Sequence, residues 1–293
     1  MEKQINFAIQ GHRADVGEYI IYRLLPNRFV DAVGPFVFLD HAAPIIHEPD
    51  EPLKKVDGSG AHPHRGIATL TYVLSGEADH FDSAGHHQKV YSGGAQWMKA
   101  GTGIIHDESM NPDPGTNDHT THALQFWVNL PGKNKAEQPE YVPVQANEVP
   151  QMNLANESGW MKVISGEYGA MKSRIPTYLK QFIYHVHLEA GKEFALDIEE
   201  GMELAVFLPL NKAVINENQY PEGQFLYFDQ EAGSIKMKSL PDTPSDIILF
   251  GGMHYHEPIV AQGPFVMNTM EEIGVAYNDF YKGKYGKINY NAE

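Results

Sequence analysis

An all-β chain built from two sandwiches or barrels is the architecture this sequence predicts, and three observations carry the prediction. Short runs rich in β-branched and aromatic residues recur along the chain, most of them bounded by turn signals. A stretch from Pro131 to Pro150 holds four prolines and many charges, the composition of a linker between two halves. Helical patterning is scarce until the C-terminus.

In chain order, residues 69–74 (TLTYVL) form the first clear strand and end at Ser75-Gly76. Residues 81–85 carry hairpin-turn chemistry ahead of Lys89-Val90-Tyr91. Residues 124–130 form a strand stopped by Pro131-Gly132, and after the linker residues 182–188, 204–208, 224–228 and 247–250 read the same way. Near the end, Thr269 is placed to cap a helix, with Glu272 at the capping-box position, and Gly283 is placed to stop it.

Length and charge narrow the function. A chain of 293 residues is long enough for two domains with substantial cores. A formal net charge of −16 leaves no basic footprint for phosphate neutralisation, which argues against direct nucleic-acid binding and against anionic membrane surfaces. No apolar run approaches a membrane span, and the N-terminus lacks a signal-peptide pattern, so a cytoplasmic protein is expected. With no cysteine there is no disulfide, thiolate metal site or cysteine nucleophile. Fifteen histidines turn attention to metal binding.

Two segments hold the informative spacing: His62-Pro63-His64, and Gly101-Thr102-Gly103-Ile104-Ile105-His106-Asp107-Glu108. In each, two potential ligands stand at i and i+2, hence on one face of a strand. One such pair is weak; two pairs, with room for a few strands between them, predict three imidazoles and a carboxylate around a single ion. That donor set suits Fe, Ni, Cu, Mn or Zn, and is of the kind that leaves positions open for O₂ and substrate. Gly101 and Gly103 allow the tight turn that precedes His106. His185 and His187, with His254 and His256, read as ordinary strand histidines rather than a second site. His80, His86 and His87 flank a turn and read as solvated, whereas His122 is a candidate for the cavity around the ion. Trp97-Met98 and Phe126-Trp127 are candidate pocket walls but fit core packing better, and Gln96 and Gln125 are weaker candidates to orient a substrate hydroxyl.

The segments HPHRGIATLTYVLSGE, GGAQWMKAGTGIIHDES, LQFWVNLP and GPFVMNT resemble the pirin family of bicupins, with the resemblance running from about Arg23 to Gly286. The resemblance implies an all-β bicupin, two β-barrel (jelly-roll) cupin domains with a short C-terminal helix. The expected division is 1–133, carrying the metal, and 134–293, without one. Carried over by position, the family's ligands are His62, His64, His106 and Glu108, around one mononuclear divalent metal, Fe(II) foremost. Ala68 stands where many cupins have a ligating Glu, and Gly101 where many have Pro, so borrowing from other cupins is limited. The implied activity is a quercetin 2,3-dioxygenase-like cleavage of a small planar hydroxylated aromatic by O₂, with Glu108 also serving as base. The alternative is a regulatory protein whose metal redox state switches a surface for a protein partner.

Overall fold

The computed structural model describes residues 1–16 and 19–291. The chain divides into two compact units, one of residues 1–41 and 149–255, the other of residues 42–148 and 256–293. Each is an antiparallel β structure of a larger and a smaller sheet closing on an apolar interior.

In the first unit the larger sheet runs Ile5–Gln10, Gln224–Phe228, Met202–Phe207, Ser245–Met253, Gln181–Leu188, Gly159–Ser165, Gln151–Asn153. The smaller runs Glu193–Ile198, Gly233–Lys238, Ala213–Ile215, Asn218–Tyr220. Both contribute alternate residues to one core: Met161, Val186, Leu204 and Leu249 from one sheet meet Leu196, Ile215, Ile235 and Met237 from the other. On the opposite face of the larger sheet, Asp246 Oδ1 accepts from His185 Nε2 and His187 Nδ1, each at 2.9 Å. Burial alone would raise the Asp246 carboxyl, but the two imidazoles outweigh it and hold it at about 2. A carboxyl depressed in the fold adds stability above its unfolded value near 4 and loses it as pH falls through about 2. Asp246→Asn is therefore expected to cost about 2 kcal/mol at pH 7. Urea midpoints checked from pH 7 downward should show the gap from wild type closing between pH 4 and 2; a gap constant with pH would refute this account.

In the second unit the larger sheet includes, in order, Glu140–Val144, Ala95–Lys99, Ile67–Ser75 and Thr120–Asn129. The smaller runs His62–His64, Ile104–Asn111, Glu77–Asp82, His87–Tyr91. The helix Met270–Tyr281 begins at the capping box expected at Thr269 and Glu272, and Gly283 past its end takes a φ of 73°. Among the described residues no helix is long and apolar enough to cross a membrane.

These units do not follow the division at residue 133/134. Part of the proline-rich stretch is itself a strand: Glu140–Val144 pairs with Ala95–Lys99, and its Pro143 is tolerated because the strand lies at the sheet edge. Lys135, also in that stretch, is buried and donates to the carbonyls of Gly66 and Val266, each at 2.8 Å. The termini are exchanged as well. Ile5–Gln10 completes the sheet edge beside Gln224–Phe228, while residues 256–293 return to the unit of residues 42–148, where Arg65 pairs with Asp279 at 2.8 Å.

Candidate metal centre

Strand Ile104–Asn111 lies between His62–His64 and Glu77–Asp82, antiparallel to both. Its register sets His106 opposite His62 on one side and Glu108 opposite His80 on the other. Because side chains alternate along each strand, His62, His64, His106, Glu108, His80 and Asp82 all project from one face. The turn leading in needs its glycines. A Cβ on Gly101 (φ 49°) would fall 2.0 Å from the Glu137 carbonyl, and one on Gly103 (φ 125°) would fall 2.1 Å from the Tyr285 ring.

One nitrogen from each of His62, His64 and His106 lies within 4.8 Å of the other two. Their tautomers follow from their neighbours. His62 Nδ1 faces the Gly60 carbonyl at 2.8 Å and His64 Nδ1 the Pro264 carbonyl at 3.1 Å. A carbonyl only accepts, so both Nδ1 atoms carry a proton, and Nε2 is the nitrogen each ring has left to offer a cation. His62 Nε2 stands 3.0 Å from His106 Nε2, and the buried His106 Nδ1 has no hydrogen-bond partner. Burial pushes His64 well below the ordinary imidazole range, helped by its two neighbours, and lowers His106 as well. Imidazole nitrogens gathered this closely fit a borderline divalent cation, which binds them in their neutral form. His64 and His106 are buried while His62 is exposed, so the cluster opens to solvent on the His62 side.

Glu108 sits beside this trio rather than inside it. Its Oε1 is 3.6 Å from His106 Nδ1 and groups with His106 and His80, not with His62 and His64. Oε1 accepts from His80 Nδ1 at 3.1 Å and from Gln96 Nε2 at 2.6 Å. Burial would raise the Glu108 carboxyl, yet His106 and His80 hold it well below the usual range. His80 corrects the expectation of a solvated turn residue: it is fully buried, with Nε2 3.2 Å from Asp82 Oδ2. Both ring nitrogens face carboxylates, so both carry protons. Burial disfavours that charge, but Asp82 and Glu108 outweigh it and raise the His80 pKa. The available signal is the inward alternation Ala78, His80, Asp82, hidden because two of its three members are polar. His86 remains near the surface, with Nδ1 2.8 Å from Asp82 Oδ2, and His87 is half-buried against Asp79.

Comparison with known proteins bears on this arrangement. The Pirin family model matches residues 19–128, and the model for the Pirin C-terminal cupin domain matches residues 183–286. The chain belongs to the pirin family. The bicupin fold expected from the sequence is thereby borne out. A Pseudomonas aeruginosa protein named, provisionally, as a quercetin 2,3-dioxygenase is 31% identical over 287 residues, spanning 97% of this pirin-family chain and 99% of that protein. Human Pirin is 32% identical over 229 residues, 77% of each chain. A crystal structure of quercetin 2,3-dioxygenase from Acinetobacter baumannii has 31% identity and a TM-score of 0.89, covering 99% of this chain and 100% of that one.

Other candidates in this pirin fall away from the cluster or join it by different routes. Of the four apolar wall candidates, Trp97, Met98 and Phe126 are core, while Trp127 is half-buried and stands edge-on to His64 at 4.9 Å between ring centroids. Gln96 donates to Glu108 and accepts from Tyr141, and Gln125 accepts from the Thr71 hydroxyl at 2.8 Å, so both amides have partners within the protein. His122 is buried at a bulge in Thr120–Asn129 and is not one of the clustered imidazoles. His185 and His187 share Asp246, whereas His254 Nδ1 meets Glu203 Oε1 at 2.6 Å; among the described residues these histidines form no metal-ligating group.

Proposed function

We propose that this chain is a metal-dependent dioxygenase that cleaves a planar hydroxylated aromatic of the flavonol class with O₂, using a single divalent cation, Fe(II), held by His62, His64 and His106 with Glu108. The observation that carries the reading is the convergence of three imidazoles, with His64 and His106 held below the ordinary range, beside an ionised carboxylate at a solvent-open edge. The names of the Pseudomonas and Acinetobacter relatives support the choice of reaction.

A cation in the cluster supplies Lewis acidity toward a phenolic or enolic hydroxyl. The protein's share of the work is then assignable. His62 and His64 are held by backbone carbonyls, so the donor lone pairs are pre-aimed. Glu108 keeps Oε2 without a hydrogen-bond partner among the described residues, and a carboxylate oxygen in that state takes up the hydroxyl proton as general base. Trp127 beside His64 offers an aromatic edge against which a flat ring packs.

The test is O₂ consumption by anaerobically Fe(II)-loaded protein given quercetin, with carbon monoxide measured in the headspace. Catalytic O₂ uptake with matching carbon monoxide is the expected outcome. One bound metal per chain with no uptake would remove the flavonol assignment.

A further inference from the structure

The two oxygens of Glu108 are unlike. Oε1 accepts twice, from Gln96 and from His80, while Oε2 accepts from no described residue. Gln96 belongs to Ala95–Lys99 in the larger sheet of its unit and reaches Glu108 in the smaller. Its amide orientation is forced. An ionised carboxylate only accepts, so Gln96 must present its NH₂ to Glu108, and its carbonyl takes the Tyr141 hydroxyl at 2.7 Å. Tyr141 comes from Glu140–Val144 and also stacks on His80, 4.3 Å between centroids at 13°. His80 is fixed at its far end by Asp82, whose Oδ1 accepts the backbone N–H groups of Ala84 and His86 at 2.9 and 3.0 Å. Two strands thus converge on a single carboxylate oxygen, and a third, through Tyr141, braces both donors.

We infer that Gln96 and His80, braced by Tyr141, are positioning residues that occupy Glu108 Oε1 and so commit Oε2 to the cation of the imidazole cluster. The inference rests on reading that cluster as a cation site, but not on the flavonol reaction. Two donors on one oxygen stop the carboxylate from rotating freely, so the remaining oxygen arrives at a defined place. Outer contacts of this kind change metal affinity about 10- to 100-fold.

Co(II) is the probe, read by its visible absorption bands and by its release rate into excess chelator. Gln96→Leu is expected to release Co(II) about 10- to 100-fold faster than wild type. Its bands should move toward those of Glu108→Gln. Tyr141→Phe, which leaves the Gln96 carbonyl without its hydroxyl partner and so holds that amide less firmly, should shift both readouts the same way by less, and it keeps the test available if Gln96→Leu does not fold. In a Glu108→Gln background the Gln96 change should add nothing, because both act through one carboxylate. Wild-type release and bands in folded variants would overturn the inference, as would equal acceleration with and without Glu108. If Co(II) behaves as expected but quercetin is not turned over, the function proposed above fails and this inference stands.

Discussion

Replacing His106 with alanine is expected to cost the protein its cation and its O₂ uptake together. His106 is the hinge of the arrangement: Nε2 stands 3.0 Å from His62 Nε2, and the same ring belongs to the group containing His80 and Glu108. Without it, the cluster retains only the His62 and His64 imidazoles, one exposed and one buried. Losing a direct donor should exceed the roughly 100-fold at the top of the range for losing an outer contact. The fold should tolerate the change, because His106 gives up a single 3.0 Å contact between its Nε2 and His62 Nε2, and its Nδ1 is buried without a partner. Metal content after gel filtration and O₂ uptake with quercetin check this, with circular dichroism as the control. A folded variant holding one metal per chain would refute the assignment.

Glu108→Gln is expected to separate turnover from metal retention. Gln96 and His80 both donate to Oε1, so they will select the rotamer that places the new carbonyl oxygen there. The NH₂ then occupies the position of Oε2, where it neither ligates a cation nor takes a proton. Three imidazoles remain, so the cation should be retained with affinity about tenfold to 100-fold weaker, while turnover at saturating metal should fall by about 10²- to 10⁴-fold, the span of a lost general base. The buried His80 also loses one of its two compensating carboxylates and should shed its extra proton more easily. Steady-state O₂ uptake at several Fe(II) concentrations distinguishes the two effects. Full turnover would exclude Glu108 as base.

Much of this is legible along the chain because the rules involved are local. Two-residue alternation announces His62 with His64 and His106 with Glu108, and the Thr269 capping box announces the single α-helix among the described residues. The strand at residues 224–228 has the bounds read from its residues, and the others differ by a few positions. What fails does so at long range. His80 reads as solvated beside its turn, yet the register of Glu77–Asp82 against Ile104–Asn111 carries it inward, opposite Glu108. The prolines at 139 and 143 read as linker, yet an edge strand tolerates the second and delivers Tyr141 to the site.

The sequence by itself determined the all-β fold class and named the three imidazoles and the carboxylate as candidates, since ligand pairs on one strand face need nothing beyond backbone geometry. Only the tertiary structure decided which units the termini join, which tautomers His62 and His64 adopt, and which oxygen of Glu108 is left open. Those depend on strand register and on partners far along the chain, Pro264 for His64 and Gln96 held by Tyr141 for Glu108. Hydrogen-bond direction is settled by what a donor finally faces, and no local pattern records that.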